Sequence, residues 1–318
     1  MKVYVTREIP ENGLKALREK HEVEVYGEDQ VIPRKELLAK IHGQDAVLTL
    51  LTEKVDAEFF EAAGKQLKIV ANYAVGYDNI DLAEAQKRNI FISNTPGVLT
   101  ESVAEHAMAL MLAVARRVPE SDRFMRAGEY THWMPLGFLG QSLWGKTLGV
   151  IGLGRIGSWL AEAAHRSFNM EIMYNDIVHN DEFEMKLSAK YHQIETILKN
   201  ADVISLHVPL LESTRHLIGK KELSLMKPNA ILINTSRGPV IDEAALYEAL
   251  KSKQIFGAGL DVFENEPKVH PGLDKLDNVV LTPHIASATV NAREEMAEIA
   301  ANNILNVLDG KQPLNPVK

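Results

Sequence analysis

The sequence predicts an α/β protein made of two doubly wound parallel-sheet domains. Short apolar runs alternate with amphipathic helical patterns from Lys2 to Asn94, and the same alternation restarts at Thr147. A strand followed by a helix and another strand implies a crossover connection, hence parallel strands covered on both faces. The chain is 318 residues long, which exceeds one typical core and suits two.

In the first domain the strand-like runs are Lys2–Thr6, Val23–Tyr26, Ala46–Leu51, Leu67–Ala74 and Ile90–Asn94. Between them lie the amphipathic stretches Asn12–Lys20, Arg34–Ile41, Ala57–Ala63 and Leu82–Lys87. A long helix is expected from Thr100–Ser102 to about Arg117, with Thr100 or Ser102 as its cap; Ser102 and Glu105 have capping-box spacing. Pro119 should end or kink it. The segment Tyr130–Gly145, with Trp133, Pro135, Gly137, Gly140 and Trp144, has the composition of an irregular arm.

The second series of strands is Thr147–Ile151, Glu171–Asn175, Asp202–Leu206, Ala230–Asn234, Gly257–Asp261 and Val279–Leu281, with helical stretches between them. The boundary is expected near Gly97–Thr100. A last helix spans about Thr289–Asp309, and its periodicity alone does not say which domain it covers.

Bulk properties narrow the function. Hydrophobic residues make up 46% and charged residues 25%, the balance of a soluble globular protein. A net charge of −8 without a basic run lacks the footprint of a nucleic-acid binder. Cysteine is absent, so disulfides, thiolate metal sites and cysteine nucleophiles are excluded, and a reducing compartment suits the chain. The N-terminal KVYVTRE puts charges where a signal peptide needs an apolar core, and the longest apolar stretch is about Ala107–Ala115, short of the roughly 20 residues that span a bilayer. A cytoplasmic protein is the expectation. No metal is expected: there is no His-x-x-x-His, and His207 and His216 have no partners at ligand spacing. No Gly-x-Ser-x-Gly turn points to a serine hydrolase.

Three constellations carry chemistry. Gly152-Leu153-Gly154-Arg155-Ile156-Gly157 follows the apolar strand TLGVI and opens a helical stretch, and Asp176 stands 24 positions after Gly152 at the end of the next strand. Such glycines permit a tight turn and close approach to a pyrophosphate, while the acid can bind both ribose hydroxyls. Arg237 follows the strand ILINT and His284 follows NVVLTP. Ligands of open parallel sheets bind beyond the carboxyl ends of strands. Histidine can hold and release a proton near neutrality, and the arginine fork matches a carboxylate. Either residue taken alone reads more readily as a surface ion pair or a packed ring. The acidic stretch Asp261-Val262-Phe263-Glu264-Asn265-Glu266-Pro267 offers a carboxylate to orient the histidine, without choosing between Glu264 and Glu266.

Together these motifs resemble the D-isomer-specific 2-hydroxyacid dehydrogenase family, particularly its glyoxylate/hydroxypyruvate reductase branch. The resemblance covers nearly the whole chain, through ANYAVGYDNID (71–81), NTPGVLTESVAEHAMALMLAVARR (94–117), GKTLGVIGLGRIG (145–157), NTSRGPVIDEAAL (234–246), GAGLDVFENEP (257–267) and TPHIASAT (282–289). It implies a flavodoxin-like substrate domain (1–98 with 287–318) and a Rossmann dinucleotide-binding domain (99–286), with the cleft between them. It implies Arg237, Glu266 and His284 as catalytic residues, selecting Glu266 over Glu264 by its place before Pro267. The backbone of Val75 and Gly76 would receive the substrate carboxylate, and Arg237 and His284 would complete the substrate contacts; in the residues themselves Leu50 and Leu51 suggest a short apolar wall, with Leu51 at the substrate. The dinucleotide would lie on Gly152, Gly154, Arg155, Ile156, Gly157, Asp176, Val208, Pro209, Thr235, Ser236, Arg237 and Asp261.

The resemblance also implies a homodimer, embraced by an arm like Val118–Trp144. Asp176 is followed by Ile177, Val178 and His179, with no Lys or Arg until Lys186, whereas NADP-using relatives carry a small residue and then arginine. NAD is therefore the expected cofactor, with NADH preferred over NADPH. The expected reaction is reduction of a small 2-keto acid, of glyoxylate or hydroxypyruvate type, to the D-2-hydroxy acid, and its reverse. The alternatives are a 3-phosphoglycerate dehydrogenase and a dinucleotide-sensing binding protein of the corepressor kind.

Overall fold

A computed structural model describes residues 1–317. The chain divides into two compact units: Met1–Leu99 together with the chain from Ala288 onward, and Thr100–Ser287.

In the first unit β1 (Lys2–Val5), β2 (Glu22–Val25), β3 (Ala46–Thr49), β4 (Ile69–Asn72) and β5 (Phe91–Ser93) form a parallel sheet in the order β2-β1-β3-β4-β5. The central strands β3 and β4, AVLT and IVAN, are buried at every position, as expected where helices cover both faces. The edge strand β2, EVEV, keeps its glutamates in water. Leu50, Leu51, Tyr73 and Ala74 prolong the apolar runs but lie in the loops beyond β3 and β4. The same loops hold Leu51, Val75 and Gly76.

The crossover helices are α1 (Glu11–Arg18), α2 (Arg34–Lys40), α3 (Ala57–Ala63) and α4 (Leu82–Lys87). Asp56 and Asp81 start α3 and α4 by accepting from the amides of Phe59 (3.1 Å) and Glu84 (3.0 Å). Phe59, Phe60, Val47, Val70 and Ile92 fill one face of the sheet. The chain's last helix, which begins after Thr289, lies against α1 and β4. There Asn12 donates to the Glu294 carbonyl (3.0 Å), and Tyr73 donates from its hydroxyl to the Arg293 carbonyl (2.6 Å).

The second unit opens with α5 (Thr100–Ala115) and α6 (Val118–Arg126). Its strands are β6 (Thr147–Ile151), β7 (Glu171–Asn175), β8 (Lys190–Tyr191), β9 (Val203–Leu206), β10 (Ile231–Asn234), β11 (Gly257–Leu260) and β12 (Val279–Leu281). All pairings are parallel, in the order β12-β11-β10-β9-β6-β7-β8. The helices between them are α7 (Arg155–Phe168), α8 (Asp181–Leu187), α9 (Ile194–Asn200), α10 (Lys220–Leu225) and α11 (Glu243–Lys251). The chain's last helix, α12 (Val290–Leu308), is the one that returns to the first unit. Helices α5 and α7 close one face of the larger sheet around Leu110, Met111, Leu148 and Leu160; Ile197, Ile204, Leu232 and Leu246 fill the other.

Three details differ from expectation. Helix α5 takes in both Thr100 and Ser102, so neither stands before it as the cap. Pro119 does not simply end a helix: Arg117 leaves the helical region at φ 54°, and Pro119 sits in the first turn of α6, where its missing N–H costs nothing. The two-residue edge strand β8 is too short to leave a periodicity. Beyond α6 the arm is irregular, as its composition predicts, and it is tethered to the helices. Gln141 donates its amide to the Ala115 carbonyl (2.8 Å), and the Phe138 ring packs on Phe124 and under Arg117. Among the described residues no helix is long and apolar enough to cross a membrane.

Candidate active site

At the carboxyl end of β6 each glycine of the loop has a separate reason. Gly152 adopts φ +95°, and a Cβ there would lie 2.7 Å from the His207 carbonyl carbon. A Cβ on Gly157 would lie 2.2 Å from the Gly152 carbonyl oxygen, so this glycine lets α7 seat against the turn. At Gly154 a Cβ would meet nothing within 4 Å. That open space lies before the first-turn amides of α7, which no intrahelical carbonyl can reach. Asp176, just past β7, accepts from the amides of Leu153 (2.6 Å) and Ile177 (2.7 Å), which locks its carboxylate beside the loop. The open cradle, the first-turn amides and the adjacent carboxylate fit a dinucleotide's pyrophosphate and ribose.

Beyond β10 the buried Asn234 organises the next turn. Its amide nitrogen donates to the Arg237 carbonyl (2.9 Å), while its oxygen accepts from the Ser236 amide (3.0 Å) and hydroxyl (2.8 Å). Thr235–Arg237 is thereby wrapped around one side chain. Among the described residues the Thr235 hydroxyl oxygen in that turn, which is buried, has no hydrogen-bond partner. Arg237 donates through one guanidinium nitrogen to the Ser236 carbonyl (2.8 Å).

The histidine follows β12. His284 Nδ1 lies 2.8 Å from Glu266 Oε2, and Glu266 Oε1 accepts from the Phe263 amide at 3.0 Å. Both oxygens of Glu266 are thus engaged, and the bond to Nδ1 directs Nε2 away from the carboxylate. Glu264 is committed elsewhere, at 2.6 Å from His216 Nε2. His284 itself is held at φ 55°, in the left-handed region.

Beneath that turn lies Asp261, fully buried. Its carbonyl accepts from the His284 amide (2.9 Å). Its carboxylate accepts from the Thr282 hydroxyl (2.6 Å) and from the amides of Ile285 and Ala286 (both 2.8 Å). His106 of α5 lies 2.9 Å from the Thr282 hydroxyl oxygen and 3.4 Å from the Asp261 carboxylate. Burial pushes the Asp261 pKa up, but hydrogen bonds from His106, Thr282, Ile285 and Ala286 outweigh it and hold the group below the ordinary range. Asp261 therefore stays ionised and clamps the backbone that presents His284.

In the first unit, Asn94 donates to the Val75 carbonyl (2.8 Å) and Asn72 to the Gly76 carbonyl (2.9 Å). Among the described residues the amides of Val75 and Gly76 have no partner, leaving two adjacent donors suited to a carboxylate. The loop bearing Leu51 is fixed by Glu53, which is 3% exposed and accepts from the Thr6 hydroxyl (2.7 Å), the Leu50 amide (2.6 Å) and the Thr52 hydroxyl (2.5 Å).

Val208 and Pro209 lie just beyond β9, next to His207, whose carbonyl the Gly152 turn abuts. Burial depresses the His207 pKa to about 4, so its ring is neutral against the Ser205 hydroxyl. Sequence reasoning misses Asn72, Asn94, Asn234, Glu53 and His106. A signal exists for the asparagines: each ends or directly follows a buried apolar strand, as in IVAN, FISN and ILIN. Among the described residues no cluster of His, Asp or Glu is placed to hold a metal ion.

The family model described as D-isomer specific 2-hydroxyacid dehydrogenase, NAD binding domain, matches residues 108–286. A glyoxylate reductase of Thermococcus litoralis is 54% identical over 320 aligned residues, covering 99% of this chain and 96% of its own. A solved protein of Thermus thermophilus superposes with a TM-score of 0.94 at 43% identity, covering 100% of both chains. An NADPH-dependent glyoxylate/hydroxypyruvate reductase of Sinorhizobium meliloti, solved with NADP and malonate, superposes with a TM-score of 0.87 at 33% identity, covering 99% of this chain and 96% of its own.

Proposed function

The chain belongs to the D-isomer-specific 2-hydroxyacid dehydrogenase family, and on that premise we propose that it reduces glyoxylate to glycolate and hydroxypyruvate to D-glycerate with NADH. It is an oxidoreductase that reduces keto acids and uses a nicotinamide dinucleotide. The observation that carries the residue-level reading is the His284–Glu266 pair at 2.8 Å, on a turn clamped by an ionised Asp261.

When bound, the nicotinamide would supply the hydride that reduces the carbonyl carbon. Arg237 grips the keto acid through its carboxylate, as a planar fork suits. Leu51 and the backbone amides of Val75 and Gly76 are the substrate contacts assigned to the first unit. Protonated His284 gives its proton from Nε2 to the carbonyl oxygen, because Nδ1 is held by Glu266. The Glu266 carboxylate favours the imidazolium and fixes the ring's orientation. In oxidation His284 takes the proton back. Gly152, Gly154, Arg155, Ile156 and Gly157 would hold the pyrophosphate, Asp176 the ribose hydroxyls, and Val208, Pro209, Thr235, Ser236, Arg237 and Asp261 the remainder of the dinucleotide.

Two further assignments go with this reading: a cytoplasmic enzyme and a homodimer. The second is supported by the tethered arm, where Trp133, Leu136 and Trp144 are 77%, 81% and 68% exposed.

Comparing kcat/KM for glyoxylate, hydroxypyruvate, pyruvate and 3-phosphohydroxypyruvate with NADH tests the substrate assignment. The first two should lead. A clear preference for the phosphorylated acid would move the chain to 3-phosphoglycerate dehydrogenase chemistry. NADH binding without turnover of any acid would make it a dinucleotide-sensing protein.

A further inference from the structure

Arg237 and Glu266 come from segments about thirty positions apart in the chain, yet their loops touch. A Cβ on Gly238 would fall 1.9 Å from the Phe263 carbonyl carbon, so the backbone after Arg237 lies directly on the backbone that leads to Glu266. One residue bonds to both loops. The His216 amide donates to the Pro239 carbonyl at 2.8 Å, and His216 Nε2 stands 2.6 Å from Glu264 Oε1.

We propose that His216 is a positioning residue for the reaction, tying the loop that carries Arg237 to the loop that carries Glu266. The inference rests on the assignment of those two residues to catalysis. A carboxylate only accepts, so His216 donates from Nε2 whether the ring is neutral or charged.

The surroundings make Glu264 a firm anchor. Its amide donates to a carboxylate oxygen of Glu243 at 2.5 Å, and Glu243 is 4% exposed. A tight turn follows, in which the Lys268 amide donates to the Asn265 carbonyl at 2.9 Å. Glu266 lies inside that turn, two residues past the anchor, so a shift of Glu264 passes directly to the carboxylate that orients His284. His216 is held at φ 50°, a left-handed backbone that a non-glycine residue keeps only where surrounding contacts impose it. Here both its bonds are made at once.

The same segment begins at the cofactor loop. The Thr214 hydroxyl donates to the Pro209 carbonyl (2.6 Å) and accepts from the Leu211 amide (2.8 Å). From Pro209 to His216 the chain is thus one compact turn, running from a proposed dinucleotide contact to the carboxylate loop.

The test is steady-state kinetics with glyoxylate on the full chain, alongside NADH affinity from fluorescence. His216→Phe keeps the bulk of a ring but removes the donor, and His216→Gln keeps a donor. The Phe variant should lose kcat by roughly fivefold to twentyfold, since misplacing a catalytic group by about 1 Å costs on the order of a hundredfold. NADH affinity should stay within about twofold, and Gln should recover most of kcat. The double variant His216→Phe/Glu264→Ala should be no worse than its worse single, because both remove one bond. Wild-type kcat in His216→Phe, no recovery with Gln, or additive losses in the double variant would overturn the proposal. Glu266→Gln and His284→Ala in the same series separate the two levels. If neither lowers kcat, the catalytic assignment itself fails; if both collapse while His216→Phe stays normal, only the positioning role does.

Discussion

At the scale of single residues, the proposed preference for NADH rests on Asp176. Its two oxygens are fixed by the Leu153 and Ile177 amides, so the negative charge cannot swing away from an incoming 2′-phosphate. The neighbour that would have to compensate, Ile177, is 99% exposed and apolar. Such a like-charge contact, incompletely screened, costs on the order of 1–3 kcal/mol, so kcat/KM with NADPH should be roughly tenfold to a hundredfold below that with NADH. The Sinorhizobium relative described as NADPH-dependent shows that this fold also accommodates the phosphate, so the discrimination is local. Asp176→Ser/Ile177→Arg should gain efficiency with NADPH, and the exposed Ile177 position admits arginine without repacking. Equal efficiency of the parent with both cofactors, or no gain in the double variant, would refute the assignment. At this scale some chemistry is legible in the sequence and some is not. The glycines and Asp176 announce themselves through spacing. Whether Glu264 or Glu266 meets His284 depends on how a turn closes, and the residues themselves do not say; the family motif points to Glu266, and the geometry puts it at 2.8 Å from Nδ1 while Glu264 faces His216.

At the scale of elements, the strands and crossover helices follow from period alone, because buried parallel strands are continuous apolar runs and their helices are amphipathic. What periodicity misses lies where the period ends. Helix α6 is hidden in the sequence because Pro119 acts as a start there, and a proline does not announce which end of a helix it marks. The asparagines closing β4 and β10 read as ordinary strand ends, yet each uses a buried amide to fold the loop beyond it. Asn234 gives the clearest test. Replacing it with alanine leaves the Arg237 carbonyl and the Ser236 amide without this partner and opens a small void. The loss should be about 1–3 kcal/mol of stability, visible in urea unfolding. The released turn should also raise KM for the keto acid more than KM for NADH, because Arg237 rides on it. Unchanged stability together with an unchanged KM would mean that the turn holds its shape without the latch.

At the scale of the whole molecule, both units carry the same kind of acid sensitivity. Each holds a histidine that burial keeps neutral: His207 in the second unit, with its pKa lowered to about 4, and His21 in the first, lowered by burial and by the N-terminal ammonium. A histidine whose folded pKa is depressed binds fewer protons folded than unfolded between that value and about 6.5. Its stabilising contribution is full above about 6.5 and is lost as pH falls toward the folded pKa. Below this window a second set of groups takes over. Asp261 in the second unit is depressed despite burial by its four donors, and Asp56 in the first is depressed despite burial by the Phe59 amide, Lys54 and Arg34. Their contribution is present above roughly 3.9, and it disappears as pH drops through their folded values. The urea midpoint should therefore fall in two stages, first between about pH 6.5 and 4 and then more steeply below. For His207 the first stage is worth up to about 3 kcal/mol, from roughly 1.36 kcal/mol per pKa unit. His207→Gln keeps a hydrogen-bonding group beside Ser205 without a titrating ring, so it should flatten the first stage and leave the second in place. A parent midpoint that stays level from about pH 6.5 to 4, or a Gln variant with the parent's slope, would show that His207 is not what acid attacks.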